Sequence, residues 1–299
     1  MIYTITTNPS LDYYLKIDEL NVGVLNRSKG ETFDAAGKGV NVSKFLNNLG
    51  INSTALGFLG GYNKDYYLDI LAGYEHIQPL FTPIKGSTRI NVKIDAGEET
   101  SLNAKGPDIT DEEFERFLKR FDYIFENDYV VLSGNVQEDL KEKVVETMIK
   151  LMESGHKVIL DTDYDIIERL APYKPFLIKM TYFVIGKDLD EVVKVGKRYI
   201  DQGAKYFMYS AHYMPSIMCT KDCYYKCDIS DKNPQSLIGT NDSMIAGFLW
   251  ASLKAASPEE AFLSANAVTI STNLLERTAD MDLIHKNYKE LKAERFEYK

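Results

Sequence analysis

The chain has 299 residues, 44% hydrophobic and 26% charged, ordinary proportions for a globular protein with one large core or two modest ones. Its net charge of −9 argues against nucleic acid as a general partner, because backbone binding needs concentrated Lys and Arg; a local basic pocket for a small anion stays open. No stretch approaches the roughly 18 apolar residues of a membrane span, and "MIYTITTNPSLD" lacks the basic-then-apolar pattern of a signal peptide, so no membrane partner is expected and the expected location is the cytoplasm.

In chain order, "IYTIT" reads as a short strand halted by the Asn8-Pro9 turn signal. "DYYLKIDEL" and "RSKGETF" alternate enough to be two exposed strands. "AAGKGVNVSKFLNNLG" predicts a helix opening near Gly37 to Gly39, with Val42, Phe45, Leu46 and Leu49 as its buried stripe and Gly50 as its stop. "STALGFLGG" is a buried strand. "TRINVKID" alternates Ile90, Val92 and Ile94 against polar partners, which predicts a half-exposed strand, and "ETSLNAKG" is expected to pair with it. Thr110 and Glu113 in "PDITDEEFERF" form a capping box at a helix start.

"YVVLSG" and "KVILDT" are continuous apolar strands, and "YFVIG" and "YFMYS" extend the series. "MIAGFLWASLKAA" is a strongly apolar helix. "SPEEAFLSANAVTISTNLLE" opens a last long one with Ser257, Pro258 and a second capping residue, Glu260. Strands alternating with helices predict an α/β fold with a mostly parallel sheet covered on both faces. The half-exposed strands do not fit that core and predict a small separate sheet, inserted at about residues 13–34 and 87–106.

Cys219, Cys223 and Cys227 recur every four residues, a spacing that places them on one face of a helix or a strand. An odd count, and a pattern unlike the usual zinc sites, favours free thiols over disulfides or a metal centre completed by His212. Neither a Walker-type loop nor a dinucleotide glycine fingerprint is present, and "TITTNPSLD" leaves no place for a nicotinamide site. What remains is a set of polar, glycine-containing turns at strand ends, where open parallel sheets bind ligands. Lys38 between Gly37 and Gly39 suits a phosphate or sugar hydroxyls; Arg89 could reach an anion; Asp12 is by itself a turn residue. Asp242 in "SLIGTNDSMIAGF" is either a helix cap or a proton acceptor.

Together, "NPSLD", "GKGVNV", "TRINVK", "LSGN" and "GTNDSMIAGF" occur in the order and spacing of one family. The sequence resembles the ribokinase-like, or PfkB-type, carbohydrate kinases, and most closely the branch of 1-phosphofructokinase and tagatose-6-phosphate kinase. The resemblance runs essentially end to end. It implies a single ribokinase-like domain over residues 1–299: a Rossmann-type parallel sheet sandwiched by helices, with a small β-sheet lid that forms a homodimer contact. It also implies transfer of a phosphoryl group from ATP, with Mg²⁺, to a ketohexose phosphate: fructose 1-phosphate to the 1,6-bisphosphate, or tagatose 6-phosphate to its 1,6-bisphosphate. Asp242 would be the general base, and Gly239, Thr240, Asn241 and Asp242 the anion hole for the moving phosphoryl. Asp12, Gly37, Gly39 and Asn41 would hold sugar hydroxyls. Lys38 and Arg89, with Arg27, would hold the phosphate already on the sugar, and Asn91 and Ser133 would stand behind them. Lys179, Ser210 and Gly239 would serve the nucleotide.

The departures from the family lie on the nucleotide side. Thr240 and Asn241 replace the Ala and Gly of the family's Gly-Ala-Gly-Asp. Thr181 and Val184 stand where the pattern has the Asn and Glu that help organise Mg²⁺. His212, Tyr213 and Pro215 occupy a loop that otherwise holds a glycine near the nucleotide phosphates. Two expectations follow: a working kinase using alternative groups, or a sugar-phosphate-binding protein with weak or lost transfer. Retention of Asp242 favours the first, since a pure binder needs no base.

Overall fold

In the computed structural model, which describes residues 1–211, 214–229, 240–274 and 280–298, the apolar N-terminal run forms β1 (Ile2–Thr6), buried along its whole length. The Asn8-Pro9 turn sends the chain out into β2 (Ser10–Lys16), and β3 (Gly30–Ala36) brings it back to α1 (Lys38–Asn48). β4 (Ser53–Gly60), α2 (Asn63–Leu71), β5 (Ile77–Pro79) and β6 (Thr82–Ile84) follow, then the hairpin of β7 (Arg89–Asp95) and β8 (Glu99–Leu102). α3 (Asp111–Leu118) begins at Thr110, whose hydroxyl accepts from the Glu113 N–H while the Glu113 carboxylate accepts from the Thr110 N–H.

Strand and helix then alternate: β9 (Tyr129–Gly134), α4 (Lys141–Glu153), β10 (Lys157–Thr162), α5 (Tyr164–Leu170), β11 (Leu177–Thr181), the single turn α6 (Tyr182–Ile185), α7 (Leu189–Gln202) and β12 (Tyr206–Ser210). β13 (Ser216–Cys219) and β14 (Cys223–Cys227) form a hairpin, before α8 (Thr240–Ser252), α9 (Pro258–Leu274), α10 (Met281–Glu290) and the edge strand β15 (Ala293–Glu297). Ser257 and Glu260 cap α9 reciprocally, as their spacing predicts.

One sheet of eleven strands runs β15-β14-β13-β12-β11-β10-β9-β1-β4-β5, with β6 also paired to β4. Its strands are parallel from β12 to β5, and β13 to β15 extend it antiparallel. A core covers each face. Phe114, Val144, Ile166 and Val192 from α3, α4, α5 and α7 build one, and Val42, Met244, Phe262 and Ile284 from α1, α8, α9 and α10 build the other. A second sheet, β3-β2-β7-β8, stands apart over one end of the first. The expected α/β architecture with a small additional sheet is therefore present. Among the described residues no helix is long and apolar enough to cross a membrane.

Three segments differ from their sequence reading. The strand expected at "YFVIG" is "LIKMT", β11, and Tyr182–Ile185 turn into α6. A continuous apolar run does not say where a strand stops; parallel pairing with β12, which ends at Thr181 opposite Ser210, decides it. In β7 the alternation is real but its polar side turns inward: Asn91 is buried and Ile90 is 41% exposed. The three cysteines are free and buried, but not on one face. The turn after Cys219 puts it in the core beneath α7, while Cys223 and Cys227 face the α9 side.

Candidate active site

The C-terminal ends of β1, β10 and β11 meet the first turns of α1 and α8 beneath the small sheet. Between the two sheets lies a cavity of about 520 Å³, within the range of small-ligand sites. Strand alternation supplies its roof: Ser10, Asp12 and Tyr14 from β2, and Arg89, Asn91 and Lys93 from β7. Gly37, Lys38 and Asn41 at the start of α1, and Asn241 and Asp242 at the start of α8, form its floor.

The roof is a fixed polar network. The side chain of Asn91 donates to Asp12 Oδ1 and Ser10 Oγ, both at 2.9 Å, and Ser10 Oγ donates to the same Asp12 oxygen at 2.6 Å. The Asn91 carbonyl in turn accepts from the Ala104 N–H at 3.1 Å. Arg89 lies across the join, donating from its two terminal nitrogens to the carbonyls of Ala104 and Asn8, each at 2.9 Å. It thus ties the small sheet to the turn after β1 while keeping its charge on the cavity wall. Lys93 is held by Ser101 and Asn103 at 3.0 and 3.2 Å.

The floor concentrates buried charge. Asp242 is buried in the first turn of α8; its Oδ2 accepts from Asn41 Nδ2 at 2.9 Å, and its Oδ1 has no hydrogen-bond partner among the described residues. Burial pushes the Asp242 carboxyl up to about 7 against the pull of Lys38; Asp161 adds to the rise, while Asn41 and Lys179 oppose it. Lys38 is half-exposed, 3.6 Å from the buried Asp161 carboxylate, and that carboxylate is the main cause of its raised pKa. Lys179 is fully buried on β11, and burial brings it down to about 8, with Asp161 as its chief support in the charged state. A carboxylate that titrates near neutrality beside two ammonium groups is equipped to take up a proton next to an anion.

Of the site residues named from sequence, Asp12, Gly37, Lys38, Asn41, Arg89, Asn91, Asn241 and Asp242 line this one cavity. The others fall elsewhere. Gly39 is buried against β1, where an added Cβ would sit 2.7 Å from the Ile5 carbonyl oxygen; its smallness serves the contact between α1 and β1, and it does not reach the cavity. Arg27 is exposed on the loop joining β2 to β3, outside the cavity, because that loop leaves the sheet edge for solvent. Ser133 is buried at the end of β9, its hydroxyl without a partner among the described residues, and it too lies off the cavity lining. Lys179 and Ser210 lie behind the floor, and both donate to the side-chain carbonyl of Asn241, Ser210 at 2.8 Å. Thr240 is buried at the start of α8. Gly239, His212 and Tyr213 lie outside the described residues. Val184, which stands where the family pattern has the Glu that helps organise Mg²⁺, is exposed on α6 and offers no ligand. Among the described residues no group of three or more His, Cys, Asp or Glu is placed to hold a metal.

Two participants escaped sequence reading. Lys93 follows Arg89 and Asn91 at the strand period, a signal available to anyone who had known which face of β7 looks inward. Asp161 ends an apolar strand and carried no local signal; its role comes from Lys38, more than a hundred residues away in sequence.

Comparison with known proteins identifies the family and the fold. Residues 6–270 match the family model for pfkB family carbohydrate kinases. The chain is 33% identical to the 1-phosphofructokinase of Bacillus subtilis over 99% of its own length and all of that protein. It is 28% identical to the D-tagatose-1-phosphate kinase of Bacillus licheniformis, covering 89% of this chain and 90% of the relative. The fold is that of phosphofructokinase-2 from Escherichia coli, solved in complex with substrates and products, with a TM-score of 0.88, 22% identity, and coverage of 97% of this chain and 98% of the other. These similarities make the chain a sugar-phosphate kinase, a phosphotransferase acting on an alcohol group. The chain belongs to the pfkB family of carbohydrate kinases.

Proposed function

We propose that this chain transfers the γ-phosphoryl group of ATP to a hydroxyl of a ketohexose phosphate, with Asp242 as the general base. Fructose 1-phosphate, giving fructose 1,6-bisphosphate, is the first acceptor to consider, because two relatives are named 1-phosphofructokinases. Tagatose 6-phosphate, giving tagatose 1,6-bisphosphate, and the tagatose 1-phosphate of a third relative are the neighbouring choices. The observation that carries the reading is Asp242: a buried carboxylate on the cavity floor with one oxygen held by Asn41 and the other without a partner among the described residues.

In this reading Asp12, fixed by Ser10 and Asn91, and Asn41 orient sugar hydroxyls. Lys38, Arg89 and Lys93 meet the phosphate already on the sugar, and an Arg27 brought in by the lid loop adds to them. The acceptor oxygen forms the new bond to phosphorus, the bond from phosphorus to the bridging oxygen of ADP breaks, and the acceptor proton passes to Asp242. Mg²⁺, when bound with the nucleotide, would supply positive charge against that of the phosphates. Asp161 would be the carboxylate to hold it, its Oδ2 accepting no hydrogen bond among the described residues and lying 3.6 Å from the Lys38 ammonium. The lid sheet, closing over the cavity, keeps water from competing for the phosphoryl group.

The outer face of the lid carries exposed Ile90 and Leu102, at 41% and 58%, and the loop joining β2 to β3 carries exposed Val24 and Leu25, at 66% and 77%, which supports pairing of two copies through the lid. Free buried thiols fit a reducing, cytoplasmic setting.

The test is ADP release from Mg-ATP with fructose 1-phosphate, fructose 6-phosphate, tagatose 6-phosphate and tagatose 1-phosphate. Turnover with one of them, reduced about 10²- to 10⁴-fold or more by Asp242→Asn, is the expected result. A second reading, a sugar-phosphate-binding protein, is favoured by one observation: Asn241 already engages Lys179 and Ser210. Thermal stabilisation by a sugar phosphate, with none by Mg-ATP and no ADP formed, would decide for it.

A further inference from the structure

Lys179 poses a problem of its own. An ammonium group with no exposed surface needs an acceptor, since leaving a buried charge without one is strongly unfavourable. Asp161 and Asp242 supply favourable charge. The acceptor that the Lys179 ammonium finds, however, is a neutral one, the side-chain carbonyl of Asn241, sixty-two residues further along the chain. The hydroxyl of Ser210, at the end of the neighbouring strand β12, donates to the same oxygen at 2.8 Å. Two donors from two strand ends thus converge on one oxygen, beside Asp242 and on the inner wall of the cavity. Convergent donors on a single oxygen, one of them cationic, are how proteins hold a phosphate oxygen.

Resting on the kinase reading above, we propose that the side-chain carbonyl of Asn241 is a built-in substitute for an oxygen of the donor's terminal phosphate. The amide satisfies Lys179 and Ser210 while no nucleotide is bound, and an incoming polyphosphate takes its place. Asn241 is then a gate on the donor side of the site and a determinant of nucleotide affinity. The acceptor side, built from Asp12, Asn91, Arg89 and Lys38, does not depend on it. Displacement is local. The amide has only to rotate away from the strand ends, and the phosphate, being charged, gives Lys179 a stronger hydrogen bond than the amide did. The exchange nevertheless loses two existing hydrogen bonds, and that loss weakens nucleotide binding relative to a chain with a small residue at this position.

Asn241→Ala and Asn241→Gly remove the competing oxygen; Asn241→Asp keeps the shape and gives Lys179 a charged acceptor. Binding of tripolyphosphate and of Mg-ADP is measured by calorimetry at pH 7, beside KM for Mg-ATP and KM for the sugar phosphate. Asn241→Ala and Asn241→Gly are expected to bind tripolyphosphate about three- to tenfold more tightly, with KM for Mg-ATP falling in parallel and KM for the sugar phosphate unmoved. Their melting temperature without anion falls, because Lys179 has lost its acceptor, and tripolyphosphate restores more of it than it adds to the unaltered protein. Asn241→Asp is expected to bind the anion at least about tenfold more weakly. A purely structural Asn241 would lower the melting temperature with no gain in anion affinity, and that result overturns the proposal. So does weaker tripolyphosphate binding in Asn241→Ala, which would make the amide a ligand for phosphate, or unchanged binding in Asn241→Asp. If no ADP forms from any chain, the kinase reading has failed, and the tripolyphosphate affinities still decide the gate.

Discussion

Substituting Asp161 by Asn should move the pH profile of catalysis without touching Asp242, the proposed base. Asp242 is held up to about 7, chiefly by burial, and the negative charge of Asp161 contributes to that rise. A base works ionised. A raised carboxyl pKa therefore means that activity is lost as pH falls through about 7, where an ordinary carboxylate would work down to about 4. With a pKa of about 7, roughly a tenth of the molecules carry the ionised base at pH 6 and about half at pH 7, so kcat/KM should rise about fivefold between them. Lys179, brought down to about 8, is expected to set the alkaline limb, and Asp161 helps keep it charged. In Asp161→Asn the acid limb, and the alkaline limb with it, should shift to lower pH, the two groups titrating as a linked pair. The assay is kcat/KM for the sugar phosphate between pH 5 and 9 in both proteins, judged on the positions of the limbs and not on their height, because Lys38 also loses its partner at 3.6 Å. The phosphate of the substrate titrates near pH 6 and gives a limb of its own, but no substitution in the protein moves that one. A flat wild-type profile between pH 6 and 7, or an Asp161→Asn profile whose acid limb coincides with the wild type, would refute the assignment of Asp242.

Gly39→Ala should lower stability by about 2 kcal/mol or more, seen as a lower melting temperature, because the new methyl group would lie 2.7 Å from both the Ile5 carbonyl oxygen and Thr6 Oγ1; an unchanged melting temperature would return Gly39 to the list of substrate contacts. Burial pushes the Cys219 and Cys227 thiols up to about 12, so Ellman's reagent should find no rapidly reacting thiol in the native protein and three after denaturation. If the lid pairs two copies, sedimentation should give a dimer, and Leu25→Asp with Ile90→Asp should give a monomer; a wild-type monomer would remove the outer lid face from consideration.

Much of the fold was legible because short-range chemistry writes it. The two capping boxes, the buried stripe of α1 and the apolar strands β1, β4, β9 and β10 all depend on neighbours within a few residues, and each forms where the pattern puts it. Where an apolar run had no local punctuation the reading failed, as at "LIKMTYFVI", whose division into strand and helix is set by pairing with β12. Eight of the residues named for the site do line one cavity, because strand ends and helix starts were themselves readable.

The sequence by itself determined the alternation of β7, the placement of Asp242 at a helix start, and the order of turns that makes this a carbohydrate kinase. It did not determine which side of β7 is the inside. Alternation records that a strand has two unlike faces, and only the position of the small sheet over the cavity turns Asn91 inward and leaves Ile90 in solvent. Nor could it give Asp242 its titration near neutrality, which arises from burial, with Asp161 adding to the rise and Lys38 and Lys179, on other elements, opposing it. Asn241 looked, along the chain, like a bulky residue in a turn that wants a small one. In three dimensions it is the acceptor for Lys179 and Ser210, a relation between strand ends and a helix start that no local pattern can encode.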